Sequence, residues 1–137
     1  MRVLDLYAGT GSLGIEALSR GAVWTDFVDI SGEACRAIQH NLKHSRLKGK
    51  AKIYCESADV FMISSPPRQY EVALADPPYE LDIDHTLTAL THKLKDESVV
   101  VYLHPKDKQF VNIADLDTRE TRIYGNSGVT FLTKSHN

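Results

Sequence analysis

The 137-residue sequence lacks the features that mark several classes of protein. It has no apolar run long enough to cross a bilayer and no signal-peptide pattern, so we expect no membrane association. Two cysteines, Cys35 and Cys55, are too few for a disulfide framework, and they indicate a reduced, cytoplasmic setting. Basic residues are not in surplus either, because 16 Lys and Arg face 18 Asp and Glu. Charge alone therefore does not indicate a nucleic-acid partner.

Short apolar runs alternate with helical patterns, and this alternation predicts βαβ units around a parallel sheet. We expect strands at 3–7, 24–30, 51–55, 70–75 and 99–103, with helices at 13–20, from Ser31 onward, at 60–63 and at 84–94. Two further strands, at 118–124 and 129–133, flank a glycine-rich turn and predict an antiparallel C-terminal hairpin. The sequence thus predicts a single α/β domain over residues 1–137, Rossmann-like, with a mostly parallel seven-stranded sheet.

A glycine pattern, Gly9-Thr10-Gly11-Ser12-Leu13-Gly14, follows the first predicted strand and matches G-x-G-x-x-G. Glycine adopts positive φ and lets a ligand approach the backbone, while the helix N-terminus adds N–H donors. Asp29 ends the second predicted strand, where a carboxylate can accept both ribose hydroxyls. These features fit NAD and S-adenosylmethionine equally, and a glycine turn with only a packing role stays an alternative.

Asp5, just before the glycine turn, separates the two ligands. A carboxylate there repels the pyrophosphate of a dinucleotide but attracts the ammonium group of S-adenosylmethionine. The alternative role for Asp5 is to brace the turn by accepting backbone N–H groups, and both roles are compatible. Asp59 follows the third strand and can accept the adenine amino group while Val60 packs on the ring. A helix N-cap at Asp59 is the competing interpretation.

The sequence Asp76-Pro77-Pro78-Tyr79, which we call the proline corner, is the most specific signal in the chain. Two prolines fix φ and hold the Pro77 carbonyl rigidly. The Asp76 carboxylate and this carbonyl can accept the two hydrogens of an exocyclic amine, which turns the nitrogen lone pair toward a methyl donor. Tyr79 can stack on the base that carries the amine. The corner therefore indicates methyl transfer to an amino nitrogen, without a metal; a rigid turn without chemistry is the alternative.

Residues 5–22, DLYAGTGSLGIEALSRGA, closely resemble the opening motif of the bacterial RsmD-like small-subunit ribosomal RNA guanine-N2 methyltransferases. The proline corner and Tyr124-Gly125 before the last strand resemble this family as well. The resemblance implies a class I fold, S-adenosylmethionine as cofactor, and ribosomal RNA or the small-subunit particle as partner. It implies that Asp76, Pro77, Pro78 and Tyr79 hold the target guanine amine. The candidate donor-binding residues are Asp5, Tyr7, Ala8, Gly9, Thr10, Gly11, Gly14, Asp29, Ile30, Asp59 and Val60.

Three departures from the family pattern accompany this resemblance. Family members carry an N-terminal segment before the first strand, and relative to them this chain is expected to be shortened. Asp29 stands where glutamate is usual, and Leu103 stands where an acidic residue is expected. Two alternatives stay open: a DNA or RNA adenine-N6 methyltransferase, and a non-catalytic module that only binds S-adenosylmethionine. A nicotinamide dehydrogenase is a third, which Asp5 and the proline corner disfavour.

The histidines complete the set of residues considered. His40 and His44 lie one helical turn apart, a spacing that suits metal ligands, but no third ligand accompanies them. We therefore expect surface histidines and no metal site, and exposed positions for His85 and His92. His104, near the end of the fifth predicted strand, is a candidate for a contact with the substrate. The sequence does not indicate an oligomeric state.

Overall fold

The computed structural model describes residues 1–108 and 112–135, and its strands alternate with helices as far as the fifth strand. The strands are β1 (Arg2–Leu6), β2 (Trp24–Val28), β3 (Ala51–Tyr54), β4 (Tyr70–Ala75), β5 (Leu94–Pro105), β6 (Leu116–Tyr124) and β7 (Ser127–Lys134). The helices are α1 (Ser12–Ser19), α2 (Gly32–His44), α3 (Ala58–Ser64) and α4 (Asp84–Thr91), with a 3₁₀ helix at Lys48–Lys50. Among the described residues, no helix is long and apolar enough to cross a bilayer.

All seven strands form one sheet in the order β3-β2-β1-β4-β5-β7-β6. The first five are parallel, and β7 runs antiparallel to both β5 and β6, which confirms the predicted α/β fold with its C-terminal hairpin. The strand order reverses between β1 and β4, whose last residues, Leu6 and Ala75, are register partners. Ligands of open α/β sheets lie at such a switch point, so both predicted motifs emerge where the fold favours a site.

Alternating side chains of β1 supply the two faces of the sheet, as the period of a strand requires. Leu4 and Leu6 join a core cluster that includes residues of α3 and α4, whereas Val3 joins a second cluster with residues of α1 and α2. Asp5 shares the Val3 face and is 1% exposed. A carboxyl group therefore lies inside an otherwise apolar layer, directly below the glycine turn.

Serines begin two of the helices. The Ser31 side chain accepts a hydrogen bond from Ala34 N at 3.2 Å and so caps α2, the helix expected from Ser31 onward. At α3 the cap is Ser57, whose hydroxyl accepts from Val60 N at 3.1 Å. The interpretation of Asp59 as an N-cap is therefore wrong. Asp59 lies in the first turn of α3, and its carboxylate is available for other contacts.

The bounds of four predicted elements need correction. The helix expected at 84–94 ends at Thr91, and the strand expected at 99–103 extends from Leu94 to Pro105. The strand is longer because Leu94 pairs with Tyr70 of β4, and a register irregularity then carries the ladder past the polar residues that follow. The second strand ends at Val28, which leaves Asp29 in the loop, and Gly14 lies within α1 because the helix already begins at Ser12.

Candidate functional site

The glycine turn is a tight link between β1 and α1. Tyr7, Gly9 and Gly11 have positive φ values of 56°, 60° and 81°, and Gly11 N donates to Ala8 O at 2.8 Å. The tip of the turn is tied to α2, because Asn41 Nδ2 donates to Thr10 O at 3.0 Å. Two glycines thus serve a backbone conformation that other residues rarely adopt.

Gly14 has a different reason to be glycine. A Cβ atom there would lie 2.4 Å from Phe27 Cε1 and 2.9 Å from Asp5 Oδ2. Its N–H donates to Asp5 Oδ2 at 3.0 Å, so the helix begins directly against the β1 carboxyl group. The structure therefore places Gly14 in the packing of α1 on the sheet, beneath the turn that Gly9 and Gly11 form.

Asp29, in the loop that follows β2, holds the same turn in place. Its Oδ2 accepts from Gly9 N at 2.8 Å, and its Oδ1 accepts from Ser31 N at 2.9 Å. A carboxylate oxygen has more than one lone pair, so each can still accept a hydroxyl hydrogen from a ligand. Asp29 is thus oriented by backbone N–H groups before any ligand arrives.

Asp5 is the most unusual group at the site. One oxygen, Oδ2, accepts the Gly14 N–H, which supports the bracing role, while the buried Oδ1 has no hydrogen-bond partner among the described residues. Burial, with a smaller contribution from the nearby carboxylates of Asp76 and Asp29, raises the pKa of Asp5 to about 7, against the lowering effect of the Gly14 N–H. A buried acceptor without a donor is destabilising. A proton or a cation that binds Asp5 Oδ1 would therefore be favourable.

A cavity of about 440 Å³ opens beside Asp29 and reaches the proline corner, and we call it the first cavity. Its walls come from the ends of β1, β2 and β4 and from the starts of α3 and α4. It is lined by Tyr7, Val28, Asp29, Ile30, Ser57, Ala58, Asp59, Asp76, Pro77, Pro78, Leu81, Asp82, Ile83, His85 and Thr86. Most of this lining is apolar with a few acidic groups, which is the usual character of a small-molecule site.

One wall of the first cavity contains side chains that sequence reasoning missed. Thr86 Oγ1 donates to Asp59 Oδ1 at 3.1 Å, and His85 Nε2 lies 3.3 Å from Asp59 Oδ2. Hydrogen bonds from His85 and Thr86 lower the pKa of Asp59 below its usual value, so this carboxyl group is ionised at neutral pH. Neither residue belongs to a motif, and their closeness to Asp59 arises only from the packing of α4 beside α3.

A second cavity, of about 370 Å³, lies on the other side of the proline corner. The two cavities share Asp76, Pro77, Pro78 and Leu81. The second cavity is also lined by Tyr79, Tyr102, Leu103, His104, Pro105, Ser127, Gly128 and Val129. A compound in one cavity and a compound in the other would therefore meet at the corner.

The corner itself presents two acceptors. Burial raises the pKa of Asp76, although the residue is exposed at the cavity surface. The Pro78 carbonyl accepts from Leu81 N at 3.0 Å, whereas the Pro77 carbonyl accepts no hydrogen bond from the described residues. Tyr79 is 63% exposed at the rim of the second cavity. The arrangement leaves one carboxylate, one carbonyl and one aromatic face available to an acceptor molecule.

The other predicted site residues lie in different surroundings. Ile30 is 74% exposed at the mouth of the first cavity, and Val60 is 49% exposed outside its lining. Ala8, Thr10, Gly9 and Gly11 belong to the turn beside this cavity rather than to its lining.

The histidines are distributed much as expected. His40, His44, His85 and His92 are exposed, and no group of potential metal ligands occurs among the described residues. His104 differs, because it is 7% exposed in the wall of the second cavity and its Nε2 lies 2.7 Å from Thr130 Oγ1. It is therefore a buried wall residue with a fixed ring orientation.

Acidic groups that line the first cavity, together with the buried Asp5 beneath the glycine turn beside it, suit a ligand with an ammonium group, a ribose and a purine. The unpartnered Asp5 Oδ1 matches a cation near the glycine turn, and Asp29 matches ribose hydroxyls. Asp59 offers an acceptor for a purine amino group in the same lining, which also includes the apolar Ile30. The same acidic surroundings are unfavourable for a pyrophosphate.

Comparisons with known proteins identify a family and relatives of this chain. Residues 1–133 match the model of a protein family described as conserved hypothetical protein 95. A Bacillus subtilis protein named "Putative rRNA methyltransferase YlbH" is 32% identical over 139 residues, which cover 97% of this chain and 76% of that protein. Ribosomal RNA small subunit methyltransferase D of Haemophilus influenzae is 26% identical over 113 residues, covering 79% of this chain and 58% of that protein.

Solved structures show the same fold. A conserved hypothetical protein of Streptococcus pyogenes superposes with a TM-score of 0.90 and 31% identity, over 99% of this chain and 88% of that one. Solved class I methyltransferases share the fold at lower identity.

Proposed function

The chain belongs to the RsmD family of methyltransferases, the family described as conserved hypothetical protein 95, and on this premise we propose a specific reaction. The proposed reaction transfers a methyl group from S-adenosylmethionine to the exocyclic N2 amine of a guanine in small-subunit ribosomal RNA. The small-subunit ribosomal RNA is inferred from the names of relatives, and the guanine amine is what the resemblance to the RsmD-like guanine-N2 methyltransferases implies. The donor and the amino acceptor are also supported by the two adjoining cavities.

Residues of the first cavity and of the glycine turn beside it would hold the donor, and the match of their charges supports this assignment. Asp5 and the glycine turn would receive the ammonium end, Asp29 the ribose and Asp59 the adenine amino group. When bound, S-adenosylmethionine supplies a methyl group on a sulfonium, which makes that methyl electrophilic. Pro77 and Pro78 line both cavities, so a donor in one and an acceptor in the other would meet at these residues.

The proline corner would prepare the acceptor. The lone pair of an exocyclic amine is delocalised into the base, so the free amine is a weak nucleophile. Asp76 and the Pro77 carbonyl accept its two hydrogens, which directs the lone pair toward the first cavity and stabilises positive charge developing on nitrogen. Tyr79 stacks on the base and limits its orientation. The nitrogen then loses a proton to Asp76, whose pKa burial has raised, or to water.

A single observation carries the proposal: one rigid corner forms a wall of both cavities. Asp76, Pro77 and Pro78 line the two spaces, and they follow directly from the last residue of β4. A module that only binds the donor would need the first cavity and Asp29 but not a second cavity with free acceptors facing it.

The test is methyl transfer by the whole chain with labelled S-adenosylmethionine and either purified small-subunit RNA or small-subunit particles. Nucleoside analysis of the product should show N2-methylguanosine, and N6-methyladenosine would instead support the adenine enzyme. Asp76→Asn should lower the transfer rate by about 100-fold or more, because it removes one of two acceptors of the amine. It should leave binding of S-adenosylhomocysteine within about twofold, because the donor contacts are retained.

Asp117→Asn is the matched control, because Asp117 is an exposed carboxylate that pairs in register with Thr133, far from the corner along β6. This variant should transfer at the wild-type rate. Donor binding without transfer to either RNA substrate would refute the proposed reaction and favour the binding module.

A further inference from the structure

The hydrogen bond between Thr86 and Asp59 joins two helices at the first cavity. Thr86 lies in the first turn of α4 and is 2% exposed, and its Oγ1 donates to Asp59 Oδ1 of α3 at 3.1 Å. The residues are 27 positions apart. Both line the first cavity, so the bond lies on a surface that a ligand would touch.

The other threonines of α4 behave differently. Thr88 Oγ1 donates to Asp84 O at 3.0 Å, and Thr91 Oγ1 donates to Thr88 O at 2.7 Å. A threonine hydroxyl inside a helix commonly donates in this way to a carbonyl of the preceding turn. A hydroxyl has one hydrogen to donate, and Thr86 gives it to a carboxylate outside its own helix.

This bond determines which Asp59 oxygen faces the ligand. Asp59 has an exposed side chain, 62% accessible, and would otherwise rotate freely. Its other neighbour, His85, is itself 71% exposed and can move aside without cost to the core. Thr86 is held by the packing of α4, so it is the fixed partner. Occupation of Oδ1 by Thr86 leaves Oδ2 as the oxygen that can turn to a ligand amine.

We propose that Thr86 is a positioning residue for the donor: it orients Asp59 so that Asp59 accepts the 6-amino group of adenine. This inference rests on the proposed function, because it takes S-adenosylmethionine as the ligand of the first cavity. It adds a residue of α4 to a site whose predicted members come from β1, β2, α3 and the proline corner. Thr86 thereby acts on one substituent of the purine rather than on the whole ligand.

The test uses two ligands that differ at that substituent. S-adenosylhomocysteine carries the 6-amino group, and S-inosylhomocysteine carries a 6-oxo group in its place. Thr86→Val removes the hydroxyl with little change in shape and should weaken binding of S-adenosylhomocysteine by about tenfold, as expected for a hydrogen bond to a charged group. It should change binding of S-inosylhomocysteine by less than about twofold. Thr86→Ser should restore the wild-type preference.

Thr91→Val is the matched control, since Thr91 is also a buried threonine of α4 but bonds only to its own helix. It should not change the ratio of the two affinities. Equal weakening of both ligands by Thr86→Val would overturn the proposal, because it would indicate a purely structural role. Unchanged binding of both ligands would overturn it as well.

Asp59→Asn provides a second test on an exposed residue whose substitution is not expected to unfold the chain. If Thr86 donates to the amide oxygen, the amide NH₂ group faces the ligand, and the variant should prefer S-inosylhomocysteine. Retention of the wild-type preference would contradict the orientation proposed here. These are binding measurements, so a chain that binds S-adenosylhomocysteine but methylates no RNA would refute the proposed reaction alone. Failure to bind either ligand would refute both proposals.

Discussion

Asp5 makes the stability of this fold depend on pH in an unusual direction. An aspartate carboxyl group that is buried against Phe27 and Gly14 has its pKa raised from 3.8 to about 7, mainly because burial disfavours the charged form. Between these two pH values the folded chain keeps a proton that the unfolded chain has lost. The free energy of unfolding therefore falls as the pH rises through this window.

The magnitude follows from the same change in pKa. Raising the pKa from 3.8 to about 7 disfavours the ionised folded state by about 4 kcal/mol. The contribution is fully present below pH 3.8 and is lost once the pH exceeds about 7. Asp5→Asn cannot ionise, and its amide oxygen can still accept the Gly14 N–H. At pH 8 and without ligand, the variant should be more stable than the wild type by up to about 4 kcal/mol.

Urea unfolding followed by circular dichroism at pH 5 and pH 8 measures this effect. The advantage of Asp5→Asn should grow between the two pH values, whereas its affinity for S-adenosylhomocysteine should fall because the ammonium group loses its partner. Asp26→Asn is the control, because Asp26 is also buried but accepts from Trp24 Nε1 at 2.8 Å and from the Tyr70 hydroxyl. It should lose about 1–3 kcal/mol at pH 8. Destabilisation of Asp5→Asn at pH 8 would refute the reasoning.

Two further substitutions test the turn and the second cavity. Asp29→Ala removes the acceptor of the Gly9 N–H and of ribose, so calorimetry should show binding of S-adenosylhomocysteine weakened by more than about tenfold. Gly128→Ala places a Cβ 2.4 Å from His104 Cε1 and should cost about 1–3 kcal/mol in thermal unfolding. Gly49→Ala, with open space around it, should leave the Tm unchanged, and equal Tm values for both variants would contradict the close contact.

The mostly parallel sheet and its antiparallel end could be predicted because local patterns specify them. Apolar runs of strand length separated by helical patterns admit few arrangements other than a parallel sheet. The first half of β5 could not be predicted in this way. Lys95, Asp96 and Glu97 are poor strand formers, and Glu97 has a φ of 67°. The strand begins at Leu94 because Tyr70 offers it a partner, which is a tertiary effect without a local signal.

The residues of the site also divide into those with a local sequence signal and those placed by tertiary packing. Residues adjacent in sequence, such as the glycine turn and the proline corner, are recognisable because the chemistry needs a fixed spacing. Thr86 and His85 are not recognisable, because only the packing of α4 beside α3 brings them to Asp59. Gly14 lies between these cases. It belongs to the glycine pattern, but the structure shows that its role is the close approach of α1 to Phe27 and Asp5.

The topology explains why one corner can serve two cavities. The order of strands reverses between β1 and β4, so the chain leaving β1 turns toward β2 while the chain leaving β4 turns toward β5. The glycine turn therefore lies on one side of the Leu6–Ala75 pair, and the hairpin that carries Gly128 lies on the other. Asp76 follows Ala75 directly and is anchored at this division. A corner placed there can present its acceptors to a molecule in the second cavity, on the hairpin side, while it also forms a wall of the first cavity. Group transfer between two bound molecules requires that they be held close together in this way.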